Sequence, residues 1–248
     1  MRPIALITGA SRGIGAATAR VLAGQGYDLC LNYRKETALA EALATELRGM
    51  GVRVLTVRAD VADEAQVVGM FGQIDQQLGP ISALVNNVGV LKTQSKLVDM
   101  DAARINHILS TNVTSAFICC REAVKRMSSE FGGKGGAIVN VSSAASKYGS
   151  PNEYVDYAAS KGAMDTLTVG LAAEVAGQGI RVNAVRPGFI DTDIHADGGE
   201  PNRLERLKSA IPLKRGGQAS EVAEAIAFLL GAGASYMTGS LLDVAGGR

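Results

Sequence analysis

Tyr157 and Lys161 stand four residues apart, a spacing that puts both side chains on one face of a helix and a lysine ammonium beside a phenol. A phenol titrating near ~10 is a poor acid–base catalyst at neutral pH unless something favours its anion. A cation at about 4 Å, at an effective dielectric near ~20, contributes roughly 4 kcal/mol, or about three pKa units. The pair therefore predicts proton transfer by Tyr157, tuned by Lys161. Of the two serines upstream, Ser143 is the better placed to hold a reacting oxygen, because strand alternation points Ser142 to the opposite face. Tyr148 and Tyr154 have no lysine four residues on and read as pocket lining.

A second centre of chemistry is the turn from Thr8 to Gly15, in which Gly9, Gly13 and Gly15 fall between a strand-like run and a helix predicted to begin near Ile14. Glycines there let backbone approach a pyrophosphate at the positive end of the helix. A tight turn without a ligand is the plainer alternative. The histidines, His107 and His195, have no cysteine, glutamate or second histidine at zinc spacing, and no Gly-x-Ser-x-Gly elbow surrounds Ser142 or Ser143. Neither metal catalysis nor a serine hydrolase is expected. His195 falls in a candidate lid, residues 191–213, from which it could touch a substrate.

These residues need a frame. Apolar or β-branched runs at Ile4 to Thr8, Asp28 to Tyr33, Val52 to Val57, Ala83 to Asn86, Ala137 to Ser142, Arg181 to Val185 and Ser240 to Val244 predict seven strands. Their near-continuous hydrophobicity suits a parallel sheet covered on both faces. Intervening segments such as Thr37 to Arg48 and Ser220 to Leu230 have helical composition and spacing. The chain is thus expected to be α/β, a doubly wound parallel seven-stranded sheet with helices on both faces, in one domain over residues 1–248. A net charge of +1 gives no reason to expect nucleic acid or an anionic membrane as partner. Strand-like sequence from Pro3 leaves no room for a signal peptide, and no run reaches a membrane span, so a soluble cytoplasmic protein is expected. Cys30, Cys119 and Cys120 all lie in apolar segments and read as core.

The glycine turn, Asn86 to Gly89, Asn112, Ser143 with Tyr157 and Lys161, and Arg186 to Thr192 recur in this order in the short-chain dehydrogenase/reductase family, which the chain resembles from end to end. The resemblance implies a Rossmann-type fold and an NADP(H) or NAD(H) cofactor. It implies cofactor contacts from Gly9, Ser11, Arg12, Gly13, Ile14, Gly15, Asn87, Gly89, Tyr157, Lys161, Pro187, Gly188, Ile190 and Thr192. Asp60 and Val61 match the family's adenine contact, although Asp60 is also a candidate N-cap for the helix near Asp63. Asn112 matches the residue that holds a water in a proton relay to Lys161; an amide satisfied by nearby backbone is the alternative. Val88 departs from the usual alanine. The Ser143-to-Tyr157 interval is one residue longer than in many relatives, with the extra residue within Pro151 to Asp156.

Tyr33 occupies the position where NAD-preferring relatives carry an acidic residue, and Arg34 follows it. Arg12 and Arg34 could instead bind a 2′-phosphate, so NADP(H) is expected in preference to NAD(H). The implied reaction is reversible reduction of a ketone to a secondary alcohol, with Tyr157 as general acid/base, Ser143 holding the oxygen, and catalysis completed by Lys161 and Asn112. The substrate is a small carbonyl or alcohol left unassigned. Alternatives are a 3-oxoacyl-carrier-protein reductase, which Gln178 weakens because such enzymes often have arginine there, a sugar dehydrogenase, or a regulator that binds NADPH without chemistry. A basic face of Arg121, Lys125, Arg126 and Lys134 could meet an acidic carrier. Relatives assemble as dimers of dimers, so a homotetramer is expected, built on helices Thr111 to Arg126 and Tyr157 to Val175 with an apolar stripe of Met164, Leu167, Leu171 and Val175.

Overall fold

The structure, a computed structural model, describes residues 2–248 with every side chain except that of His195, so the expected substrate contact of His195 lies outside what is described. The first half alternates β1 (Ile4–Ile7), α1 (Gly13–Gly24), β2 (Asp28–Tyr33), α2 (Thr37–Gly49), β3 (Val54–Arg58), α3 (Glu64–Gln77) and β4 (Ala83–Asn86). There follow α4 (Ala102–Leu109), α5 (Ser115–Met127), β5 (Gly136–Val141), the short α6 (Ala145–Tyr148), the long α7 (Val155–Val175) and β6 (Ile180–Pro187). The last part holds β7 (Ile190–Asp191), α8 (Ile194–Asp197), α9 (Arg203–Leu207), β8 (Gly217–Gln218), α10 (Ala219–Leu230) and β9 (Leu241–Val244).

Seven strands form one parallel sheet in the order β3-β2-β1-β4-β5-β6-β9. The chain winds outward from β1 through β2 to β3, then resumes beside β1 with β4. That reversal opens a crevice beyond the carboxyl ends of β1 and β4, where such sheets bind ligands. Alternate residues of each strand feed separate cores. Ile7, Leu29, Val85 and Val139 pack with α1, α2 and α10, while Leu6, Cys30, Leu84 and Ile138 pack with α3, α5 and α7. The expected helices on both faces are therefore present, and all three cysteines are buried and free.

Two expectations change. The helix expected from Thr111 to Arg126 is interrupted by a π-helical stretch, Ser110–Thr114, that joins α4 to α5. The stripe on α7 is largely spent inside the chain: Met164 and Val175 are fully buried, and Leu167 and Leu171 lean against the same core. No helix of the described residues is long and apolar enough to cross a membrane.

Candidate active site

The turn after β1 is built for close approach. Gly9 and Gly13 have φ of +62° and +55°, a region that L side chains rarely adopt. Gly15 fills a different need, since a Cβ there would lie 2.4 Å from the Gly9 carbonyl oxygen and 2.7 Å from Asn87 Nδ2. Asn87 locks this turn to β4: its Nδ2 donates to the carbonyls of Thr8 (2.9 Å) and Gly9 (3.0 Å). Asn32, a polar residue inside an apolar strand, accepts from the Gly9 amide at 3.3 Å and donates to the Ala59 carbonyl at 3.0 Å. Sequence reasoning passed over Asn32, although an amide within an apolar run was the available signal.

A cavity of about 620 Å³ runs from this turn to the start of α7. Its wall includes Gly9, Ser11, Arg12, Gly13, Ile14, Arg34, Asp60, Val61, Asn87, Gly89, Ser143, Tyr157, Lys161, Pro187, Gly188, Ile190 and Thr192, with Gly89 beside Lys161 and Thr192 beside Gly13. Tyr148 and Tyr154 line it as well. Three expected site residues are set back from it. Gly15 is packed behind the turn. Tyr33 is 7% exposed and belongs to the core, whereas its neighbour Asn32 reaches the cavity. Asn112 is fully buried, its Oδ1 accepting from the Val90 amide at 2.8 Å and its Nδ2 donating to the Val90 carbonyl at 3.1 Å and to Ser160 Oγ at 3.0 Å.

Both expected phosphate ligands are engaged with carboxylates. Arg12 reaches Asp193 at 3.4 Å and Asp197 at 2.5 Å, at the start and the end of α8, and Arg34 reaches Asp60 at 3.1 Å. All five side chains are about a third or more exposed, so these pairs are weak and exchangeable. Asp60 does not cap α3; Asp63 does, accepting from the Gln66 amide. Lys35 and Glu36 also border the cavity at this end, and neither was singled out from sequence.

At the other end, α7 carries Tyr157 and Lys161 while the end of β5 supplies the serines. Ser142 Oγ turns inward and donates to the Lys161 carbonyl at 3.1 Å, whereas Ser143 lines the cavity with Tyr157 and draws the phenol pKa down. Ser143 Oγ also accepts from the Ala145 amide at 3.1 Å. Lys161 is buried, with Nζ donating to the Val141 carbonyl at 2.7 Å and lying 5.6 Å from the centroid of the Tyr157 ring. A Cβ on Gly89 would come within 3.2 Å of that Nζ, so the glycine leaves the ammonium its room.

The electrostatics differ from the sequence-based expectation that Lys161 pulls the Tyr157 pKa down. Burial raises the phenol, with Ser143 and the more distant charge of Arg203 drawing it partly back. Burial also lowers Lys161, to about 8, against the opposing charge of Asp165 one helical turn on. The physical reason is shared: each group loses hydration, Lys161 inside the protein and Tyr157 half-buried on the cavity wall, and the ammonium is anchored on Val141 rather than on the phenol. The phenol thus keeps its proton at neutral pH. The arrangement suits a proton donor.

The donor set fits a dinucleotide by its own geometry: two glycines with positive φ at the mouth of α1, the N-terminal end of that helix, exchangeable arginines and one elongated cavity. Among the described residues, no group of three or more His, Cys, Asp or Glu side chains is placed to hold a metal ion.

A family described as Enoyl-(Acyl carrier protein) reductase matches residues 9–248. The chain is 60% identical over 245 residues to the uncharacterized oxidoreductase YgfF of Escherichia coli K12, covering 99% of both. It is 37% identical over 247 residues to the 3-oxoacyl-[acyl-carrier-protein] reductase FabG of Staphylococcus aureus, covering 100% of this chain and 98% of that one. Among solved structures, a blue fluorescent protein from a metagenomic library in complex with NADPH superposes with a TM-score of 0.90 at 35% identity, covering 99% of this chain and 97% of that one.

Proposed function

The chain belongs to the short-chain dehydrogenase/reductase family of oxidoreductases, and from that premise we propose that it is an NADPH-dependent reductase of ketones, with residues 1–248 acting as one cytoplasmic dinucleotide-binding and catalytic domain. The observation that carries this reading is the placement of Ser143, Tyr157 and Lys161 on the wall of the same cavity that the glycine turn opens at its other end. A nicotinamide cofactor held there would supply a hydride for a carbonyl carbon. Tyr157 gives its proton to the carbonyl oxygen, so the C=O π bond breaks as one C–H and one O–H bond form, and solvent returns the proton to the phenolate. Ser143 holds the oxygen against the phenol. Lys161 offers its ammonium to the phenolate as charge develops and to the cofactor ribose. Asn112 acts by positioning, tying Val90 and Ser160 together beside Lys161.

Desolvation holds the proton on Tyr157 at neutral pH, which suits the donor role that reduction asks of it. The preference for NADPH over NADH rests on Arg12 and Arg34, whose present carboxylate partners are exposed enough to yield to a phosphate. Titrating a panel of ketones and secondary alcohols with NADPH, NADH and their oxidised forms, followed by nicotinamide absorbance, tests the proposal. Ketone-dependent NADPH oxidation is expected. Silence across the panel with both cofactors would contradict it.

A further inference from the structure

Arg203 is a cation for which the reaction as described has no use. It opens α9, is only 7% exposed, and lines the same cavity as Ser143 and Tyr157. Its NH2 donates to Glu153 at 2.5 Å, and its guanidinium lies over the rings of Tyr154, at 4.6 Å, and Phe189, at 5.6 Å. A guanidinium has five N–H donors. Nε and NH1 of Arg203 have no hydrogen-bond partner among the described residues. Nor does Glu153 serve Arg203 alone, since it also pairs with Arg206 at 3.3 Å. Arg248 adds a second cation on the cavity wall, 4.7 Å from the Phe189 centroid. Most of the side chain is buried, yet Nε and NH1 are not sealed from solvent, so they stay accessible on a cavity wall. The protein leaves these donors unclaimed, so an anionic group of a ligand can replace water on them.

We propose that Arg203 binds an anionic group of the substrate, so that the preferred ketones are oxo-carboxylates, with the ketone against Tyr157 and Ser143 and the carboxylate on the guanidinium N–H groups of Arg203 that Glu153 leaves free. The inference rests on the ketone-reductase reading above. Arg203 and Tyr157 line one cavity, and the Arg203 charge acts on the phenol, so one substrate can present its ketone to Tyr157 and its carboxylate to Arg203. The carboxylate is unchanged by the reaction; it orients the carbonyl. A 3-oxoacyl thioester is neutral around its ketone and leaves these donors open.

The test compares 2-oxopentanoate and 4-oxopentanoate with their methyl esters, using wild type, Arg203→Gln and Arg203→Lys, by NADPH oxidation. A charge-assisted contact predicts that wild-type kcat/KM favours the better acid over its ester by about ten- to a hundredfold, mainly through KM. The acid-to-ester ratio should collapse in Arg203→Gln and be partly restored in Arg203→Lys. Esters turned over as well as acids by wild type, or a ratio unmoved in Arg203→Gln, would overturn the proposal while leaving ketone reduction standing. Calorimetric binding of the same pairs to NADPH-loaded Tyr157→Phe reads the anion site without turnover. If wild type reduces none of them, the ketone-reductase reading is what fails for this class, and calorimetry still decides: tighter binding of the acids upholds the anion site, and equal binding overturns it.

Discussion

The proposed preference for NADPH rests on Arg12 and Arg34, each of which sits against a carboxylate that it must leave to meet a phosphate. If Arg34 binds the 2′-phosphate, Arg34→Ala removes a charge-assisted contact of roughly 1.5 to 3 kcal/mol, so NADPH affinity should fall about ten- to a hundredfold with NADH affinity nearly unchanged. Paired dissociation constants on Arg34→Ala and Arg12→Ala check this, and equal losses for both cofactors in Arg34→Ala would show that Arg34 does not read the phosphate. Lys161 makes a second prediction. A base with its pKa lowered to about 8 is fully protonated well below that pH and loses its charge as pH rises through it. The kcat/KM for reduction should therefore decline above about pH 8, where an unperturbed lysine would hold its charge for two further units. A profile flat to pH 10 would contradict the buried, weakened ammonium.

Among the elements, the least ordinary is the π-helical stretch that carries Asn112. Such interruptions concentrate at functional sites, and this one turns the Asn112 amide onto both backbone groups of Val90, just past Gly89. Asn112→Ala should cost about 1–3 kcal/mol of stability by leaving those groups and Ser160 unpaired, together with lowered turnover. Urea unfolding measures the first; lost turnover at full stability would favour a water relay over a clamp. The strands were legible because strands buried on both faces are apolar almost throughout, and the glycine turn because its conformational demands select glycine. Less of the rest could be read. A π turn leaves no compositional mark, since only the backbone register changes. Tyr33 was misplaced because one step along a strand exchanges core for cavity, and Arg12 finds Asp193 and Asp197 only through the fold. Arg203 stands in a weakly patterned segment, with nothing in its neighbours to announce a buried cation.

As a whole molecule, the protein presents less unclaimed charge than its sequence suggests. Arg121, Lys125 and Arg126 converge on the buried Glu122, with Glu64 and Asp75 as further partners, so most of the basic face is neutralised within the chain. That removes much of its attraction for an acidic carrier. We propose a homotetramer on different grounds from the stripe of α7, because Phe117 on α5 and Val169 on α7 remain about half exposed. Light scattering at micromolar concentration should give four times the chain mass of 25.7 kDa, and a monomer alone would contradict it. The proposed reaction turns on one phenol, Tyr157, as donor of the proton that completes reduction. Replacing Tyr157 by Phe keeps the ring and removes only the hydroxyl, so the decisive measurement is ketone-dependent NADPH oxidation by Tyr157→Phe beside its NADPH dissociation constant. Turnover should fall by roughly two to four orders of magnitude with NADPH binding nearly intact, whereas turnover within a few-fold of wild type would show that the proton comes from elsewhere.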